Sequence, residues 1–340
     1  MNPTYRVGVT ADGFLPDGTS RFGDLGLERL TVAGLEWEYL PPLAHELTAD
    51  ALAPYDAVLS LGHLGLTRDA AAAAPRLRHL ARYGAGYDGI DVPGLAAEGV
   101  VVTNTPDAVR RPLALAALTL LLALAHRLPE NHRAAAEGRW ADRGRYRGPG
   151  VVGRTVGIVG LGSVGCEVAD LVRPLGMRVL ATDRRGDVVR AERVGAELVT
   201  LDRLAAESDY VVLTAALTPS SHHLVDAGFL AAMRPTAHLV NVGRGGLVDH
   251  DALRAALAAG RIAGAGLDVL DPEPPAPDDP LLTREDVVVT PHALCWTEDF
   301  TQAVATSAVE AIVDVAQGRR PVHALDASAL RHARHARLVP

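Results

Sequence analysis

Three polar side chains stand where apolar runs give way to turns, and their types could do proton and anion chemistry together. Arg244 lies in Asn241-Val-Gly-Arg-Gly-Gly246, Glu273 in Leu267-Asp-Val-Leu-Asp-Pro-Glu-Pro-Pro275, and His292 in Val289-Thr-Pro-His292. An imidazole titrates near neutral pH, so it can give a proton to a developing alkoxide and take one back in reverse. A guanidinium offers a planar fork of donors that fits a carboxylate, which a point charge does not. Singly, a His after Thr-Pro reads as a capped loop residue and a Glu between prolines as a solvated turn. Together, and beside a nucleotide motif, they read as a catalytic set.

That motif is Gly160-Leu-Gly-Ser163-Val164-Gly165, preceded by a strand pattern over residues 155–159 and followed by a helix pattern over 163–175. Gly160 would permit the strand-to-helix turn, Gly162 would let backbone approach a pyrophosphate, and Gly165 would let helix and sheet pack closely. Asp183 ends the next strand pattern, residues 177–182, where a carboxylate can accept from both ribose hydroxyls and repel a 2′-phosphate. The expected cofactor is therefore NAD(H), ahead of NADP(H). Arg184 and Arg185 pull the other way as phosphate partners, and solvated loop charge is the alternative reading of both.

These residues need two scaffolds. Strand-like runs at 5–10, 35–40, 57–61, 77–83 and 100–104 predict a small parallel α/β unit ahead of the glycine motif. Runs at 156–160, 178–181, 210–214, 238–242, 266–269 and 287–290 predict a larger doubly wound sheet after it. Residues 110–127, opening at Pro112, read as a long buried helix between the two, and residues 298–317 as a helix returning to the first unit. The expected division is residues 1–108 with 298–326 for a discontinuous, flavodoxin-like substrate domain, 109–297 for a Rossmann domain, and 327–340 for a C-terminal tail whose residues 331–340 are expected to fray. Ligands of such two-lobed proteins bind in the cleft between lobes, so a cleft is expected here.

Composition removes other classes of function. The 340 residues are 48% hydrophobic and carry a net charge of −8, enough apolar material for two cores and too acidic for nucleic acid as the main partner. Every strong base is arginine, so Schiff-base chemistry and a phosphate-loop lysine are excluded. The longest apolar run, residues 113–125, is too short to span a bilayer, and no charged-then-apolar leader opens the chain, so a cytoplasmic protein without membrane contact is expected. Cys166 and Cys295 lack metal-ligand spacing and read as packing residues; no metal is expected.

The glycine motif, Asp183, Arg244, Glu273 and His292, with Gly84-Ala-Gly-Tyr-Asp-Gly-Ile-Asp91 upstream, resemble the NAD-dependent D-isomer-specific 2-hydroxyacid dehydrogenase family over about residues 50–323. The resemblance implies a nicotinamide cofactor supplying hydride to the oxo carbon of a 2-oxo acid while His292 protonates its oxygen. It implies that Glu273 orients the imidazole and stabilises its charged form, and that Arg244 binds the carboxylate and polarises the carbonyl. Backbone amides at Ala85 and Gly86 would hold the carboxylate from the other side, Asp268 would hold the nicotinamide carboxamide, and Thr214 would lie on the adenosine side. A homodimer is implied, with Trp140 and Arg143, Arg145 and Arg147 on an arm toward the second copy.

The chain departs from the family pattern at several positions. Trp296 follows His292 closely where small residues are usual, and should reshape the substrate pocket. Leu115 stands where an acid is common, and Thr214 and Ala216 where His and Pro are common. Arg82, Arg110 and Arg111 suggest a second anionic group on the substrate, exposed structural charge being the alternative. Formate or phosphite oxidation on the same scaffold, and a non-catalytic NAD-sensing corepressor-like scaffold, are the competing functions. Retention of Arg244, Glu273 and His292 together favours the enzyme.

Overall fold

Short runs rich in Val, Ile, Leu and Ala build most strands of this protein, as buried parallel sheets demand, because both of their faces are covered. A computed structural model describes residues 4–15, 17–62 and 64–335. The chain divides into two compact units, one of Met1–Val109 with Trp296–Pro340 and one of Arg110–Cys295.

In the smaller unit, β1 (Arg6–Val9), β2 (Glu36–Tyr39), β3 (Ala57–Ser60), β4 (His79–Arg82) and β5 (Val101–Thr103) form a parallel sheet in the order β2-β1-β3-β4-β5. This is the flavodoxin-like order. Its central strands are buried along their length, and Leu52, Leu66, Leu77, Leu80 and Leu95 fill one face. The helix Glu298–Ala316 packs on β3 and β4, so the last part of the chain belongs to this unit. Its N-cap Thr297 accepts from the backbone of Phe300, and its buried stripe runs through Phe300, Val304, Ala308, Ile312 and Val315 at helical spacing.

The larger unit holds β6 (Thr155–Val159), β7 (Arg178–Thr182), β8 (Ala196–Leu198), β9 (Tyr210–Leu213), β10 (His238–Asn241), β11 (Gly264–Leu267) and β12 (Val287–Val289). They are parallel in the order β12-β11-β10-β9-β6-β7-β8, the doubly wound nucleotide-binding topology with one strand added at the edge. The order reverses between β6 and β9, and the turn after β6 carries the glycine motif. The three-residue β8 has no counterpart among the strands expected from sequence, since Ala196-Glu-Leu198 is too short to show a period.

The helix between the units begins at Pro106, ahead of the expected start, and runs to Ala125 with Pro112 inside it. Proline suits a first turn, and Pro106 fills that role in place of Pro112. Its 20 residues are long and apolar enough to cross a membrane, longer than the run 113–125 alone indicated. Ala114, Ala117, Leu120, Leu121 and Leu124 are instead buried in the core of the larger sheet, with the helix so close to β11 that a Cβ on Gly266 would lie 3.0 Å from that of Leu120.

The expected fraying of the C-terminal segment is corrected as far as His335. Ala327–Arg331 and Ala333–His335 form 3₁₀ turns within the smaller unit. Arg334 donates to the carbonyls of Ala74 (3.2 Å) and Leu77 (2.8 Å), and a ring nitrogen of His335 lies 2.9 Å from the Gly99 carbonyl oxygen. The Ala74 carbonyl also accepts from the Leu77 backbone (3.0 Å), so Arg334 closes the turn that follows the helix Arg68–Ala72. Residues 336–340 of the expected tail lie outside the described residues.

Candidate active site

The three glycines of the motif have three different physical reasons. Gly160 has φ +98°, and a Cβ there would lie 2.7 Å from the Ala215 backbone. A Cβ on Gly165 would lie 2.2 Å from the Gly160 carbonyl oxygen, so the helix Ser163–Val172 can approach the strand only without one. Gly162, at the N-cap of that helix, would point a Cβ at open space, and no side chain caps the helix. Ser163 is exposed and Val164 half-buried in the first turn. Two glycines thus satisfy the protein's own packing, while the third keeps the approach to a helix N-terminus clear, as an anionic pyrophosphate requires.

Around this turn, Thr214 donates its hydroxyl to the Gly160 carbonyl (2.7 Å), which makes it a brace of the loop. Arg190, which sequence reasoning missed, donates to the Leu161 carbonyl (3.2 Å) from the helix Val188–Arg193. Nothing in its spacing marked it. Asp183 follows β7 half-exposed, with one carboxylate oxygen accepting from the Arg185 backbone (3.1 Å); Arg184 and Arg185 are exposed.

Sheet order gathers the polar residues of this unit. β10, β11 and β12 are adjacent and parallel, so the loops after Asn241, Leu267 and Val289 leave one edge, the edge from which the glycine turn also leaves β6. Asn241 organises the first loop: its side chain accepts from the Gly243 backbone (3.0 Å) and donates to the Arg244 carbonyl (2.9 Å). Gly245 lets the loop pass against Leu270 and Asp271, since a Cβ would fall 1.8 Å from the Leu270 carbonyl oxygen. The Arg244 guanidinium donates to the Gly243 carbonyl (2.8 Å).

His292 and Glu273 meet across 2.8 Å, imidazole Nδ1 to carboxylate Oε2, and the other carboxylate oxygen accepts from the Leu270 backbone (2.9 Å). The pairing engages Nδ1 of the ring. His292 has φ +54°, a conformation L-residues avoid unless their surroundings impose it. Asp268 supplies part of that constraint. Its Oδ1 accepts from the Thr290 hydroxyl (2.6 Å) and from the backbone of Ala293 and Leu294 (3.2 Å each), on both sides of His292. Its Oδ2 is buried with no hydrogen-bond partner among the described residues, and burial pushes its carboxyl above the usual carboxylate range. A buried acceptor in that state suits a donor such as a carboxamide N–H₂. The orphaned oxygen and the clear space at Gly162 both fit a nicotinamide dinucleotide.

In the smaller unit the segment after β4 is held differently. Gly84 has φ +121°; its N–H donates to the Thr105 hydroxyl (3.1 Å), and its carbonyl accepts from the Thr105 backbone (3.0 Å). The Asn104 side chain donates to the Ala85 carbonyl (2.8 Å), which fixes Ala85 and Gly86 against β5. Asp91 caps the helix Val92–Ala97 by accepting from the Gly94 backbone (3.0 Å). Trp296 groups with this unit, 38% exposed, its ring 4.7 Å from that of Phe22.

The arginines expected to meet a second anionic group have partners within the protein. Arg111 is ion-paired with Glu167 (2.7 Å), which Arg110 also approaches (3.4 Å), so both tie the long helix to the helix Ser163–Val172. Arg82 is buried, 5% exposed, with one guanidinium nitrogen on three backbone carbonyls. Their acceptors lie far away in sequence or on the main chain, where side-chain spacing carries no sign of them.

Comparison with known proteins agrees with this geometry. Residues 118–293 match the model of the D-isomer specific 2-hydroxyacid dehydrogenase NAD-binding domain. A glyoxylate reductase of Korarchaeum cryptofilum is 39% identical over 290 residues, covering 84% of this chain and 87% of its own. A D-3-phosphoglycerate dehydrogenase of Archaeoglobus fulgidus is 36% identical over 285 residues, and this chain spans 54% of its length. Among solved structures, an NADPH-dependent glyoxylate/hydroxypyruvate reductase of Sinorhizobium meliloti, in complex with NADP and malonate, superposes with a TM-score of 0.80 at 31% identity, covering 96% of this chain and 97% of its own. The chain belongs to the D-isomer specific 2-hydroxyacid dehydrogenase family.

Proposed function

We propose that this protein is a nicotinamide-dinucleotide-dependent reductase of a small 2-oxo acid to its D-2-hydroxy acid, and catalyses the reverse oxidation. One observation carries the reading: His292 and Glu273 are paired at 2.8 Å on the sheet edge that also bears Arg244 and the glycine turn. When bound, the dinucleotide supplies or accepts a hydride. Gly160, Gly162, Ser163, Val164, Gly165 and Asp183 would hold its phosphates and adenosine ribose, and Asp268 its carboxamide. His292 gives a proton from Nε2 to the oxo oxygen, while Glu273 fixes Nδ1 and balances the charge of the imidazolium. Arg244 binds the carboxylate and draws electron density toward the oxo oxygen. Ala85 and Gly86 are further proposed carboxylate donors.

NAD(H) is the proposed cofactor, because Asp183 would face a 2′-phosphate with like charge. The NADP-bound Sinorhizobium meliloti relative supports keeping NADP(H) as second choice, through Arg184 and Arg185. Glyoxylate and hydroxypyruvate are the first substrates to try, and we propose a cytoplasmic homodimer as the working form. The test follows NADH and NADPH absorbance over a panel of glyoxylate, hydroxypyruvate, phenylpyruvate and phosphonopyruvate. Turnover of at least one, lost in His292→Ala, supports the enzyme. Tight dinucleotide binding without turnover of any would overturn it in favour of a sensing scaffold.

A further inference from the structure

A buried cation beside a turn needs a reason, because removing a guanidinium from water is costly unless its donors are satisfied. Arg82 closes β4, and its Nη1 donates to the carbonyls of Ser60 (3.2 Å), Leu61 (3.3 Å) and Tyr83 (2.7 Å). Ser60 ends β3, and the Leu61 and Tyr83 carbonyls lie just past their strands, where the ladder no longer supplies donors. The Ser60 carbonyl also accepts from the Tyr83 backbone (2.9 Å), so the two strand ends and Arg82 form one small network. The next residue after Tyr83 is Gly84, at φ +121°, where the chain turns into Ala85 and Gly86.

We infer that Arg82 is a positioning residue, whose buried guanidinium ties the carboxyl ends of β3 and β4 together and so fixes the turn that presents the Ala85 and Gly86 amides. It acts on the side of that turn opposite to Asn104 and Thr105, which hold Gly84 and Ala85 against β5. All three carbonyls converge on one nitrogen, Nη1, which shares its two hydrogens among them, so a lysine ammonium would restore part of this network without the rest of the guanidinium. A conformationally permissive glycine turn gains most from such a clamp, because without it the turn samples many backbone states. The effect on substrate affinity rests on the reading of Ala85 and Gly86 as carboxylate donors; the effect on the turn does not.

The test compares the full-length protein with Arg82→Gln and Arg82→Lys. Amide hydrogen exchange without substrate should accelerate by about tenfold or more over residues 83–90 in Arg82→Gln, less in Arg82→Lys, with residues 110–295 unchanged. In steady state, KM should rise by about tenfold in Arg82→Gln while kcat changes by less than about threefold, with partial rescue in Arg82→Lys. The KM factor should be the same for glyoxylate and for phosphonopyruvate, which carries a second anionic group. Unchanged exchange at the turn overturns the proposal, as does a KM rise confined to phosphonopyruvate, which would make Arg82 a substrate-binding residue. Fast exchange throughout both units in both variants also overturns it, since the role would then be one of global folding. A wild-type protein inactive on every 2-oxo acid would sink the enzymatic reading and leave the exchange comparison intact.

Discussion

Two turns at the ends of parallel strands, one in each unit, do similar work by opposite means. The turn after β6 is fixed by close approach: Gly160 and Gly165 sit so near the Ala215 backbone and the Gly160 carbonyl that no side chain fits. The turn after β4 has no such crowding, since a Cβ on Gly84 would meet nothing within 4 Å; hydrogen bonds from Asn104 and Thr105 and the Arg82 clamp at its base hold it. A turn held by absence of side chains fails when atoms are added. A turn held by side-chain hydrogen bonds fails when atoms are removed.

The largest expected effect tests whether the chemistry belongs to the larger unit. His292→Ala should lower kcat by about 10²- to 10⁴-fold, the usual range for removing a general acid–base, while the NADH dissociation constant moves by less than about twofold. Loss of dinucleotide binding in step with kcat would mean that the substitution had disturbed the fold. Next in size is an added side chain at the crowded turn. Gly165→Val should cost about 3 kcal/mol in urea unfolding and abolish measurable NADH binding, because the Gly160 carbonyl must move. A variant that binds NADH normally would show that the turn is not held by proximity.

Both units bury a neutral histidine, which predicts shared acid lability. Burial lowers His238 in the larger unit from 6.5 to about 4, and His79 in the smaller unit from 6.5 to about 3. Below the unfolded value the unfolded chain binds the proton and the folded chain does not, so stability falls as pH drops from 6.5 toward those folded values. At pH 5 each should have removed about 2 kcal/mol relative to neutral pH. Urea midpoints at pH 7 and pH 5 measure this, and His238→Gln should flatten the dependence; an unchanged slope would contradict it. The smallest effect belongs to the smaller unit's turn. Asn104→Ala removes one hydrogen bond of about 1 kcal/mol, so KM for the 2-oxo acid should rise about fivefold with kcat nearly unchanged. A fall in kcat alone would argue against a role in carboxylate binding.

The difference between the turns also explains what could be read in advance. Gly160 and Gly165 were visible because steric exclusion admits one residue type at each, and Gly162 because its fixed spacing between them follows from one tight turn. Arg82 was visible as a charge but its partners were not, because they are main-chain carbonyls, which every residue possesses. The partner of Arg111 was hidden for a related reason: Glu167 is brought near only by the packing of two helices. Trp296 was legible as a bulky residue that should reshape the substrate pocket; its ring partner Phe22, remote in sequence, was not.

Sequence by itself determined the two parallel sheets, the dinucleotide turn and the identities of Arg244, Glu273 and His292, because apolar periodicity, glycine spacing and side-chain chemistry are local properties. Tertiary structure decided that Glu273 reaches His292, that Asp268 grips the Thr290 hydroxyl before it and backbone amides after it and leaves one oxygen buried without a partner among the described residues, and that Arg82 faces carbonyls. Those outcomes depend on which strands lie side by side and which groups lose water together, and no single segment of the chain encodes either.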